Sequence, residues 1–199
     1  MNVDSSILLW INGHHTEWLD TIMYWTSHPA TWLPLYIILV VLVVCRYRSW
    51  KIALFIILGF AVAVGLSDII CSSFIKPLVC RLRPTHEPAL DPLHLVNGYT
   101  GGLYGFCSSH AANTIAVMVL FCSLFRNKIA TVALSAWVAL NCYSRMYLGV
   151  HYPTDIMAGL LVGFLLAELV YWGLHRWVLP FAELHSPHED DEVAPQGDS

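Results

Sequence analysis

Three short stretches of the chain concentrate side chains that can move protons and hold anions. The first reads Lys76-Pro-Leu-Val-Cys-Arg-Leu-Arg83-Pro84, and the second Phe106-Cys-Ser-Ser-His110. The third reads Ser144-Arg145-Met-Tyr-Leu-Gly-Val-His151-Tyr-Pro-Thr-Asp155. Lys76, Arg83 and Arg145 supply cations suited to a dianionic phosphate, arginine as a planar fork and lysine as a point charge. Ser108 and Ser109 lead into the apolar helix that carries His110, where free backbone N–H groups and the helix dipole favour an anion. Asp155 lies four residues after His151, and Pro153 fits the first turn of a helix, so both side chains can share one face. A carboxylate that accepts a bond from one imidazole nitrogen sets the tautomer and makes the other nitrogen a better nucleophile. With two histidines, one can attack phosphorus while the other protonates the leaving oxygen. The cations can stabilise charge on the equatorial oxygens during transfer. No Asp/His/Glu cluster has the pattern expected of a two-metal phosphatase, so the simpler chemistry uses no metal and no cofactor.

For these stretches to act together, the elements between them must bring them to one place. Of the 199 residues, 57% are hydrophobic and 12% charged. A soluble domain carries about 25% charged residues, so lipid is the solvent for much of this chain. A span needs roughly 20 mostly apolar residues to cross a hydrocarbon core of about 30 Å. Candidates run from Thr31 to Cys45, Ile52 to Ile75, Ala111 to Phe125, Ile129 to Tyr147 and Asp155 to Leu174, the first and third borrowing flanking residues. Tryptophans near several ends suit interfacial anchoring, and Gly159 with Gly163 makes a small-xxx-small pair for close helix packing. The segment from Ser5 to Thr26 is apolar but interrupted by Asn12, His14, His15, Glu17 and Asp20. It reads as an interfacial amphipathic helix, or two short ones, with a sixth span as the alternative. The expected fold is therefore all-α, a polytopic transmembrane bundle of five to six spans including an N-terminal interfacial helix. Residues 1–179 form its membrane-embedded domain, and residues 180–199 form an acidic tail expected to be disordered.

That tail, with Glu189, Asp190, Asp191, Glu192 and Asp198, supplies much of the net charge of −4. The body is close to neutral and shows no basic face for nucleic acid. Arg46, Arg48 and Lys51 fill one tight turn, Arg126 and Lys128 another, and Arg176 follows the last span. With alternating crossings these places share one side, which the positive-inside rule makes cytoplasmic. Lys76, Arg81, Arg83 and Arg145 then fall on the opposite face, together with both histidines.

The pattern Lys-x6-Arg-Pro, then Ser-x-His at a helix start, then Ser-Arg-x5-His-x3-Asp resembles the type 2 phosphatidic acid phosphatase superfamily. That family includes bacterial phosphatidylglycerophosphate, undecaprenyl-diphosphate and lipid A phosphatases. The resemblance covers residues 30 to 175, and residues 76 to 155 carry its specific signal. It implies a membrane lipid phosphatase, a metal-independent phosphoric monoester hydrolase acting through a phosphohistidine. In that reading His151 is the nucleophile, Asp155 its partner, and His110 the acid that protonates the leaving group. Lys76, Arg83, Ser108 and Arg145 are the phosphate ligands, joined by the Ser109 backbone N–H. The implied substrate is a lipid phosphate in the membrane: phosphatidic acid, phosphatidylglycerophosphate, a lipid A phosphate or, alternatively, undecaprenyl diphosphate. The implied place is the cytoplasmic (inner) membrane, with the site on its periplasmic or extracytoplasmic face. The second motif departs from the family's usual Pro-Ser-Gly-His, since this chain has Cys107-Ser108-Ser109-His110. Ser109 adds a Cβ where backbone must approach phosphate closely.

Other residues admit plainer readings. Arg81 is either an indirect phosphate contact, acting through another residue, or a solvated charge. Asp68 lies inside an apolar segment, where a structural hydrogen bond or ion pair competes with a functional role. Cys80 and Cys107 flank one polar segment and can pair in an oxidising compartment; free thiols are the alternative. His14, His15, His28, His86 and His94 show no persuasive ligand spacing. A non-catalytic transporter or lipid-binding protein is the rival class, although no internal repeat of the transporter kind is seen and both imidazoles are retained.

Overall fold

The computed structural model describes residues 2–47, 49–90 and 92–183. Arg48, Asp91 and the acidic tail from residue 184 onward lie outside the described residues. Among the described residues the regular structure is helical apart from one isolated bridge between Leu82 and Tyr104. Two short helices open it, α1 (Val3–Gly13) and α2 (Glu17–Thr26). A 3-10 turn (Pro29–Trp32) leads into α3 (Leu33–Arg46). Next comes a continuous helical rod made of α4 (Trp50–Ile69), a π-helical turn (Ile70–Ile75) and α5 (Lys76–Val79). A long excursion with three 3-10 turns reaches α6 (Ser109–Phe125). The chain finishes with α7 (Lys128–Tyr147), α8 (Pro153–Trp177) and α9 (Leu179–Glu183). Residues 179–183, where the acidic tail was expected to begin, thus form a last short helix.

Among the described residues, three helical stretches are long and apolar enough to cross a membrane: Pro29–Arg46, Trp50–Val79 and Pro153–Trp177. Helix α6 is apolar but shorter at 17 residues, and α7 buries Asn141, Ser144 and Arg145 near its end. Both complete the bundle by packing among the three. Helices α1 and α2, of 11 and 10 residues, reach only about 15 Å at 1.5 Å per residue, half the depth of a bilayer core. The sixth-span alternative for this segment is therefore replaced by two short helices packed against α7. Trp10, Trp18 and Trp25 are exposed along them, as anchors at a lipid–water boundary would be.

Between helices in lipid there is no hydrophobic drive to associate, so close packing must hold the bundle. The seam between α6 and α8 shows how. A Cβ built on Gly159 would stand 2.3 Å from the Ser108 carbonyl oxygen, and one on Gly163 would stand 2.1 Å from that of Ala112. Backbone lies directly on backbone there. At the basic end, Val43, Tyr47, Ile52, Ala53 and Ile56 form a cluster that Phe125 and Val178 join, so the turns carrying Arg46, Lys51, Arg126 and Arg176 converge. The ends carrying Lys76, Ser109, Arg145 and His151 meet at the opposite pole.

Candidate active site

The His151 imidazole is buried, with 1% of its surface exposed. It follows α7 after a turn in which Val150 donates to the Arg145 carbonyl and Gly149 adopts φ +68°. Only glycine enters that left-handed conformation without strain. The Arg83 guanidinium donates from Nη1 to the Val150 carbonyl and lies 3.1 Å from His151 Nε2. On the other edge of the ring, Nδ1 is 3.5 Å from Asp155 Oδ2 and makes no hydrogen bond. With Nε2 accepting from arginine, which has no acceptor to offer, the neutral ring carries its proton on Nδ1, toward the carboxylate. Burial lowers the His151 pKa well below the usual histidine value, and the charges of Arg83, Arg145, Lys76 and neighbouring His110 lower it further. A neutral imidazole at neutral pH has a free lone pair, as a nucleophile requires.

Asp155 is held at the start of α8, where the backbone N–H of Tyr152 donates to Oδ2 (3.0 Å) in a capping arrangement. Its backbone carbonyl accepts from the Ser108 N–H (2.9 Å), tying the second motif to the third. The Arg81 guanidinium binds its other oxygen, Oδ1, at 2.8 Å. Arg81 also reaches Asp4 Oδ2 at 2.5 Å and Thr154 Oγ1 at 2.6 Å, and stacks over the Tyr152 ring at 3.9 Å. Of the two sequence readings of Arg81, the solvated charge does not match this: it links Asp4 of α1 to the carboxylate beside His151. Asp4 completes the link by accepting from the Thr154 N–H and hydroxyl. Nothing in the local sequence signals Asp4, because the contact spans 150 residues of chain.

Arg83 is positioned by a short antiparallel pairing, in which its N–H donates to Leu103 and the Gly105 N–H donates to Arg81. A Cβ at Gly101 would come 3.1 Å from its guanidinium. Burial and the charge of Arg145 lower the Arg83 pKa to about 10, still cationic at neutral pH. Arg145 is 2% exposed; it donates to the Ser27 hydroxyl and, at 3.3 Å, to the Tyr99 hydroxyl. Backbone of the same Ser27 hydrogen-bonds the His110 imidazole. Ser27 and Tyr99 thus join the candidate site, and no motif announces either. The Nε donors of Arg83 and Arg145 are buried without a protein partner. Buried donors of this kind are rare unless a ligand accepts from them.

At the third side, Lys76 Nζ donates to the Ser109 hydroxyl at 2.9 Å, and Ser72 Oγ is also 2.9 Å from that oxygen. The side chain that stands where the family has glycine is turned toward the α4 rod. Ser108 caps α6, its oxygen facing the Ala111 N–H at 3.5 Å. All eight residues singled out from the sequence therefore come to one pole of the bundle: Lys76, Arg83, Ser108, Ser109, His110, Arg145, His151 and Asp155. Cys107 does not meet Cys80, which is exposed; its Sγ is 2.8 Å from that of buried Cys71. Exposed Asp68 comes within 3.5 Å of the Ser72 hydroxyl.

A buried neutral imidazole backed by a carboxylate, a second imidazole and a ring of cations define a phosphoryl-transfer site in a membrane bundle. The family model for the PAP2 superfamily matches residues 53–178. The chain belongs to that superfamily. It is 34% identical over 88% of its length to the lipid A 4'-phosphatase of Bacteroides thetaiotaomicron, covering 78% of that protein. To the lipid A 4'-phosphatase of Porphyromonas gingivalis it is 36% identical over 89% of its length, covering 77% of that protein. Its fold is similar to the crystal structure of a transmembrane PAP2 type phosphatidylglycerolphosphate phosphatase from Bacillus subtilis. The TM-score is 0.65 at 22% identity, covering 87% of this chain and 85% of that one. The protein is a multi-pass membrane lipid phosphatase, a phosphoric monoester hydrolase.

Proposed function

We propose that the protein removes a phosphate monoester from a lipid A head group at the outer face of the cytoplasmic membrane. Identity of 34% and 36% to two lipid A 4'-phosphatases across nearly nine-tenths of the chain supports this substrate. The geometry around His151 carries the chemistry. Phosphate oxygens draw Arg83 off Nε2 and onto themselves, joined by Arg145, Lys76 and the N–H groups at the start of α6. His151 Nε2 then attacks phosphorus as the phosphorus–oxygen bond to the sugar breaks, and His110 delivers a proton to the departing oxygen. The ring becomes cationic, and the 3.5 Å pair with Asp155 closes into a charge-assisted hydrogen bond. Water, deprotonated by His110, cleaves the phosphohistidine and releases inorganic phosphate. The side assignment rests on the basic turns at the opposite pole.

The test is phosphate release by purified protein in detergent micelles containing lipid A, with undecaprenyl diphosphate and phosphatidylglycerophosphate as competitors. Wild type should release one phosphate from lipid A faster than from either competitor. His151→Ala should abolish release while leaving the melting temperature within a few degrees. Full turnover by that variant would refute the assigned nucleophile, and preference for a competitor would refute the substrate.

A further inference from the structure

Where the N-terminal helices dock over the catalytic pole, His15, Asp20 and His94 meet, their donor atoms all within 4.8 Å of one another. They come from three separate places: the turn after α1, the first half of α2 and the excursion between α5 and α6. The imidazoles of His15 and His94 lie parallel with centroids 3.6 Å apart, and His94 Nε2 is 2.8 Å from Asp20 Oδ2. The catalytic scheme uses none of the three.

Each of the two less exposed donors is held by a partner that leaves a ligating atom free. Tyr147 donates its hydroxyl to Asp20 Oδ1 at 2.5 Å, so Oδ2 is the oxygen turned to the imidazoles. The backbone of His94 is gripped at two points by buried Asn12: its N–H donates to Oδ1 at 2.9 Å, and its carbonyl accepts from Nδ2 at 2.9 Å. Partners that orient ligands in this way are characteristic of metal sites. By contrast, His14 turns back onto the Trp10 carbonyl of its own helix.

We infer that His15, Asp20 and His94 bind one divalent transition-metal ion, with zinc the type member, which clasps the N-terminal helix pair to the excursion above the active site. Two imidazoles and one carboxylate suit zinc, cobalt or nickel rather than calcium or magnesium, which prefer all-oxygen spheres. A tetrahedral ion with bonds of about 2.0–2.1 Å needs donors roughly 3.3 Å apart. Binding requires the exposed His15 ring to turn out of its parallel stack on His94, so that both lone pairs meet at the ion, and water completes the sphere. The clasp bears on catalysis only through position. Ser27, which holds Arg145 and His110, follows α2, and Tyr99, which also holds Arg145, lies five residues beyond His94.

The experiment uses the full chain in detergent micelles and phosphate-free buffer. Titration with zinc by calorimetry should give one ion per chain with micromolar or tighter affinity, and cobalt should bind with visible d–d absorption. Zinc should raise the melting temperature. His15→Ala and His94→Ala should each weaken binding by about ten-fold or more, whereas His14→Ala should leave it unchanged. His15 is exposed, so its substitution separates ligation from folding, and metal-free phosphate release by that variant should equal wild type. Absence of binding at 100-fold excess of micromolar zinc, or binding that survives the double substitution of His15 and His94, would overturn the site.

Discussion

At the scale of single residues, the decisive feature is a histidine kept neutral by its surroundings. The unfolded chain protonates such a group near pH 6.5, whereas burial and neighbouring cations place the folded value well below that. Between those two values the unfolded state binds more protons, so stability rises with pH there and is lost as pH falls below about 6.5. The loss amounts to roughly 1.4 kcal/mol per pH unit for this one group. Melting temperature in detergent should therefore drop between pH 7 and 5 in wild type, and drop less steeply in His151→Gln. Parallel curves would show that His151 is not the buried neutral group described. Residue types and spacing made the eight members of the candidate site legible, because three motifs each carried their own chemistry. What the sequence hid was the support. Asp4, Ser27, Tyr99 and the true role of Arg81 depend on contacts across long loops, and no local pattern encodes them.

At the scale of elements, the seam between α6 and α8 sets the distance between two motifs. The Ser108 N–H bonds the Asp155 carbonyl at the top of this seam, and Gly159 and Gly163 let the helices close below it. Gly163→Ala would drive a methyl group to 2.1 Å from a backbone oxygen that cannot turn aside. Gly59→Ala would meet the end of the Leu174 side chain at 2.9 Å, and that side chain can rotate. Overpacking costs about 1–3 kcal/mol, so the first variant should melt several degrees below the second and lose activity with it. Equal melting temperatures would mean that the seam is looser than it looks. The small-xxx-small spacing was readable in advance; which helix it met was not, since that depends on how the spans assemble. The helix ends were likewise approximate, as with α4, which continues through a π turn past Pro77 as far as Val79.

At the scale of the whole molecule, the catalytic groups sit at one pole and the basic turns at the other. That polarity makes orientation in the membrane a measurable property. Cysteine introduced at Leu103, which is exposed beside the site, should react in intact cells with a maleimide too polar to cross the cytoplasmic membrane. Cysteine at Lys128 should react only after the cells are permeabilised. The reverse pattern would put the site in the cytoplasm and remove the proposed substrate. The all-α class followed from composition and from the apolar runs between the polar turns. The docking of α1 and α2 over the catalytic pole did not, because their polar residues serve contacts with a distant excursion rather than a repeating amphipathic stripe.

The hydroxyl of Ser109 has a consequence for how eagerly the enzyme takes its substrate. Lys76 is already engaged by it, and an engaged ammonium must let go before it can greet an incoming anion. Shortening that residue to glycine would leave the ammonium only its longer 3.5 Å contact with the Ser72 hydroxyl. Ser109→Gly should accordingly bind orthovanadate, a mimic of the transferred group, more tightly than wild type; weaker inhibition would mean that the hydroxyl holds the lysine in readiness instead of holding it back.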